Sequence, residues 1–183
     1  MRVSALCIAI VLICSHVLPA QNEQKLSKKE RKALRKQEQI EKNKAIVALL
    51  NSKKWVIEAN TVFDRYNQSY QISPTINFVG VNDEQGAIQL GFDGLIGWNG
   101  VGGVTIDGKI TKYEIKEGKE KSNPTINIRF QGRGMSSASI NVTVNSSGQS
   151  TARVDGDFGE RITFKGTIRS LEESIVYKGQ SLF

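Results

Sequence analysis

The sequence predicts a mainly β fold, an antiparallel meander curled into a small barrel or folded as a sandwich, preceded by one N-terminal α-helix. Three observations carry this. Apolar and polar residues alternate with period two from Trp55 onward. Turn signals punctuate that region at short, even intervals. Residues 24–51 lack both Gly and Pro and are rich in Lys, Arg, Gln, Glu, Ala and Leu.

The first twenty residues read as a secretory signal. Met1-Arg2 gives a positive start, Ala5 to Cys14 is an apolar run too short to span a bilayer, and Leu18-Pro19-Ala20 offers cleavage before Gln21. Bulky Leu6 and Ile13 precede Cys7 and Cys14, which argues against a lipid-anchoring cleavage site. The chain has two cysteines and one histidine, and all three lie in this leader. Its removal takes away disulfides, thiolate nucleophiles, imidazole bases and the usual zinc ligands. The exported domain is then held by its core alone.

Residues 21–51 form the basic N-terminal helix. Leu26, Ala33, Ile40 and Val47 make a thin apolar stripe, and only Ala45 to Leu50 is apolar enough to dock on a body. The formal net charge of +7 is concentrated here: residues 21–54 hold eleven Lys and Arg against four Glu, and residues 55–183 hold thirteen against fourteen acidic residues. No aromatic residue interleaves these cations, so nucleic acid is not an expected partner. A solvated spacer is the plain reading, and contact with anionic lipid or polysaccharide the functional one.

Residues 52–183 form a single β domain of about eight to ten strands. Ile76-Phe78-Gly80, Ile88-Leu90-Phe92, Ile126-Ile128-Phe130, Ile140-Val142-Val144 and Ile162-Phe164-Gly166-Ile168 each mark the dry face of a strand. Turns are expected at 82–86, at Asp107-Gly108 as a two-residue hairpin, at 121–124, at 146–148 and at Asp155-Gly156.

The stretch Gly97-Trp98-Asn99-Gly100-Val101-Gly102-Gly103-Val104-Thr105 invites a phosphate-loop reading, and fails it. The third glycine of a dinucleotide fingerprint is absent, and Gly103-Val104 stands where a P-loop needs Lys and Ser or Thr. A strand follows where an anion site needs a helix N-terminus. The glycines read instead as a bend of a curling sheet. Trp98 and Asn99 are the candidate ligand-binding residues beside it.

Asn77-Phe78-Val79, Gln89-Leu90, Asn99-Gly100-Val101-Gly102-Gly103-Val104-Thr105, Gly108-Lys109 and Val176-Tyr177-Lys178-Gly179 resemble an exported Bacteroidetes domain-of-unknown-function family numbered four-two-five-one. The resemblance covers most of residues 45–180. That family has no established activity, substrate or catalytic residues, so the resemblance assigns none. It implies an envelope or secreted location in a Gram-negative bacterium.

Asp155, Asp157 and Glu160, with Asp93 beside the glycines, are the carboxylates open to catalysis or calcium binding; the twelve-residue calcium loop is absent. The expected function is a periplasmic or secreted, non-catalytic binding module of the cell envelope, working through a lipocalin-like barrel mouth or a sheet face. Its partners would be a small apolar ligand or an envelope protein, with neither cofactor nor metal. The alternative is a carboxylate-dependent glycan hydrolase. A carboxyl pair across a cleft would favour the enzyme, and an apolar cavity of roughly 300 Å³ or more inside the barrel would favour a carrier.

Overall fold

The computed structural model describes residues 27–91, 103–118, 122–132, 137–156 and 161–178. The leader, Asp93, Trp98, Asn99, Asp157 and Glu160 lie outside the described residues.

Helix α1 spans Lys28–Asn51. The Ser27 hydroxyl accepts the Glu30 N–H at 3.3 Å, and the Glu30 carboxylate accepts the Ser27 N–H at 2.8 Å, a capping box that satisfies two backbone donors. These bonds hold the Glu30 carboxyl below its ordinary range. All residues from Lys28 to Gln39 are exposed. The expected docking of the last turns is present: Leu50 is fully buried, and Ile46 and Leu49 pack against the core. Lys53, at φ 53°, turns the chain into the first strand.

Nine strands follow: β1 Lys54–Phe63, β2 Ser69–Gln71, β3 Phe78–Asn82, β4 Gln85–Leu90, β5 Val104–Lys116, β6 Thr125–Gly132, β7 Ser137–Val144, β8 Gln149–Gly156 and β9 Arg161–Ser170. From β3 each strand pairs antiparallel with the next. β1 pairs with β3 on one side and with β9 on the other. Eight strands therefore close an antiparallel barrel, the first of the two architectures expected, with the helix preceding it. β2 is a short addition to the far half of β1, with Thr61–Phe63 opposite Ser69–Gln71.

The alternating residues supply the interior. Trp55, Phe130 and Phe164 are the largest side chains inside, with Ile57, Val79, Ile126, Ile128, Ile140, Val142, Val144 and Ile168 packed around them. Full burial of one such side chain contributes about 2 kcal/mol. Two bulges keep this face apolar where the alternation would slip. In β1 the register shifts between Ala59 and Thr61, so inward residues run Trp55, Ile57, Ala59 and then Val62. In β5 it shifts between Ile110 and Lys112, which brings Tyr113 and Ile115 inward. Gly166 faces the first bulge: a Cβ there would lie 2.0 Å from the Glu58 carbonyl oxygen.

The expected hairpin at Asp107-Gly108 is overturned. Both residues sit within β5, paired with Ala87 and Gly86. Asp107 is buried, and Gly108 serves close approach, since a Cβ would stand 2.1 Å from the Gln131 carbonyl oxygen of β6. Asp155 and Gly156 likewise end β8 as paired strand residues. The expected turns at 82–86 and 146–148 do form. Asp83 (φ 55°) and Glu84 link β3 to β4, and Gly148 takes φ 81° between β7 and β8.

α1 crosses one end of the barrel. Tyr113 of β5 donates to the Leu50 carbonyl at 2.6 Å and accepts the Trp55 indole N–H at 2.8 Å. Burial pushes the Tyr113 hydroxyl up, opposed by the Trp55 bond. Farther along, Ile40, Asn43 and Val47 face Glu117, Ser122 and Pro124 of the β5–β6 connection. Replacing Tyr113 by Phe leaves the Trp55 N–H and the Leu50 carbonyl without this partner. Urea denaturation of Tyr113→Phe should show a loss of about 1–3 kcal/mol.

Candidate functional site

With one end covered by α1, the opposite end is where β1 and β4 finish and β5 and β9 begin. Leu90 and Val104 pair there as the last and first residues of their strands. Val62, Phe63, Asp64, Tyr70, Leu90 and Ile162 line a cavity of about 210 Å³ at this rim. Its walls are aliphatic and aromatic apart from Asp64, whose carboxylate accepts the Tyr66 and Gln68 N–H groups at 2.9 Å. Tyr66, Tyr70 and Val104 stand exposed around it, at 69, 48 and 45 %. Arg65 stacks on Tyr66, and the Lys165 ammonium lies 4.4 Å from the centre of the Phe63 ring.

Below the rim the barrel is filled by its own side chains. A cavity of about 210 Å³ is smaller than the roughly 300–1,000 Å³ that a whole small-molecule ligand occupies. It suits one apolar group: a side chain or the end of an acyl chain.

A buried polar network braces the rim from outside. Gln89 donates to the Ile76 carbonyl at 2.9 Å and the Tyr177 carbonyl at 2.8 Å, and accepts the Thr105 hydroxyl at 2.8 Å. Asn77 donates to the Ser73 carbonyl and accepts the Gly91 N–H at 2.8 Å. A Cβ on Gly103 would lie 1.8 Å from the Leu90 carbonyl oxygen. Gly91 and Gly103, the two described residues flanking the stretch that holds Trp98 and Asn99, are thus held at fixed positions. After Gly103 the chain enters β5 and opens no helix, so the objection to a phosphate cradle stands there.

Residues 171–178 form a strap over the outer face of β1, β4 and β5. Glu58 of β1 accepts three bonds, from Arg169 Nε (2.9 Å), Ser174 Oγ (3.0 Å) and the Ile175 N–H (3.2 Å). Lys178 reaches Asp107 of β5 at 2.6 Å. Val56 and Phe78 are buried beneath. A charged residue in the apolar run Trp55–Val62 was the one sequence signal for this arrangement. Gln89 gives none, because it occupies the wet face that alternation assigns it.

Of the carboxylates singled out in the sequence, Asp155 alone lies among the described residues, and two arginines hold it. Partial burial pushes Asp155 up, but hydrogen bonds and charge from Arg161 (2.6 Å) and Arg153 (3.1 Å) outweigh it and hold its carboxyl below the ordinary range. A general acid needs the opposite shift. Among the described residues no three potential metal ligands cluster, and no helix is long and apolar enough to cross a membrane.

Fold and rim together define a strap-braced, eight-stranded meander barrel with an apolar mouth. The chain belongs to the family described as domain of unknown function DUF4251, whose model matches residues 37–168. It is similar to a DUF4251 family protein from Bacteroides eggerthii DSM 20697, known from a crystal structure at 1.95 Å, with 30 % identity and a TM-score of 0.61 over 76 % of this chain and 94 % of that one. No curated protein matches the chain. Asn77, Gln89 and Thr105, among the residues that carry the resemblance, meet in the rim network.

Gln89→Leu removes the donor to the Tyr177 and Ile76 carbonyls and the acceptor of the Thr105 hydroxyl. It should cost about 2 kcal/mol or more and speed hydrogen exchange at the Tyr177 N–H, which donates to Thr75. Asp155→Asn should cost roughly 0.5 kcal/mol at neutral pH, because the pair is solvent-screened. A carboxyl lowered by folding stabilises above its unfolded pKa and loses that contribution as pH falls through the folded value. The difference between variant and parent should therefore close below about pH 4 in acid denaturation curves.

Proposed function

We propose that this is an exported protein of the bacterial cell envelope acting as a non-catalytic binding module, which takes an apolar group of a ligand or partner protein at the barrel rim. The observation that carries this reading is the apolar rim cavity beside exposed Tyr66, Tyr70 and Val104. Exposed aromatics around a dry recess are the composition of a recognition surface. The cavity's size directs the reading toward insertion of one group and away from enclosure of a whole molecule. The expected leader supports the location. Trp98 and Asn99 fall in the stretch joining β4 to β5, between the braced residues Gly91 and Gly103, and belong to the same reading.

Native mass spectrometry of the protein purified from its own envelope fraction should show a retained ligand or partner. Tyr70→Ser, at an exposed position, should weaken that association several-fold with unchanged urea stability. Recovery of the bare chain from the cytoplasmic fraction would sink both halves of the proposal.

A further inference from the structure

The cationic half of α1 has a direction that composition alone does not give. β6 stands opposite β1 in the eight-strand closure, since four steps separate them either way round the strand order. α1 ends beside β1 at Leu50 and passes the β5–β6 connection at Ile40. It therefore crosses the closed end, and its first turns project beyond the β5–β6 wall. The exposed residues Lys28–Gln39 make an overhang of roughly 18 Å. The capping box at Ser27 keeps it helical to its start. The family match begins at residue 37, so most of the overhang precedes the shared domain.

At 100° per residue, Lys28, Lys29, Arg31, Lys32, Arg35 and Lys42 fall within an arc of about 160°. Ile46, Leu50 and Asn43, which face the barrel, fall within the same arc. Glu30 and Glu41 lie on the opposite side, and Glu38 borders the arc beside Arg31 and Lys42. The cations thus point to the side on which the barrel stands, into the corner between overhang and wall. On that wall β5 and β6 present Lys112, paired with Glu114 at 2.9 Å, and Arg129, which with Asn127, Asn141 and the arginine-held Asp155 line a depression of about 210 Å³.

We infer that this corner binds a linear acidic polysaccharide, and that the partner is a chain and not a membrane. A flat bilayer meets the barrel before it meets the cationic arc. A flexible polyanion can enter the corner and satisfy both surfaces. The helix has no apolar side to insert: Leu34, exposed at 48 %, lies off the arc. No aromatic residue stands between Gln21 and Lys54 to stack a nucleobase. The inference is independent of the rim.

The test uses the full exported chain and fluorescein-labelled polygalacturonate, read by fluorescence anisotropy. Binding should appear at about 50 mM salt and vanish toward about 500 mM. Lys28→Gln/Lys32→Gln/Arg35→Gln should weaken it at least about tenfold. The matched triple Lys54→Gln/Lys109→Gln/Lys165→Gln removes equal charge elsewhere and should weaken it far less. Equal losses in both triples would reduce the effect to net charge and overturn the corner. Tighter binding to phosphatidylglycerol vesicles, or to a single-stranded oligonucleotide, would overturn the choice of partner.

Discussion

Everything in this molecule depends on the pairing of β1 with β9. It turns a meander into a ring, leaves the eight barrel strands without an open edge, and makes β1 the strand with neighbours on both sides and burial on both faces. Its register survives a bulge because Gly166 lets the two backbones approach where any side chain would collide. The interior follows, since Ile57 meets Ile168 and Val62 meets Phe164 across that one seam.

The same seam explains the outer face. β9 ends beside the start of β1, so the strap leaves from there and must cross β1 to reach β5. Crossing it buries Glu58, a cost that three hydrogen bonds offset. The polar groups beneath the strap are tied to backbone and cation alike, which makes this face a brace. The opposite is true of the rim, where apolar groups stand in water with nothing over them among the described residues. The brace and the proposed recognition surface thus fall on different faces of one small barrel.

Much of this architecture was legible in the residues. Four alternating runs marked the interior faces of their strands; in β3 the face was inverted, since Val79 meets Ile57 and Ile88 inside while Phe78 and Gly80 lie outward beneath the strap. The change of period at Trp55 marked the end of the helix. Asp107-Gly108 misled because its two letters fit a tight turn as well as a buried acid beside a close-approach glycine. Only the partner, Lys178, decides between them, and it is 71 residues away. Gln89 was placed on the correct face with the wrong solvent exposure, because local alternation carries no information about a strap. The Ser27–Glu30 spacing matches a capping box, which the helix bounds 21–51 passed over. The rim was not, because it is assembled from the ends of four strands far apart in the chain.

The seam also governs how the chain reaches this state. Glu58 and Arg169 meet across it at a separation of 111 residues. Contacts of that range form late, since closing so long a loop costs entropy before any pairing repays it. Until β9 arrives, Trp55, Val56 and Ile57 form an open, sticky edge. The polypeptide is therefore slow to fold and vulnerable to misassociation while it waits, and any truncation that removes β9 leaves that edge uncovered for good.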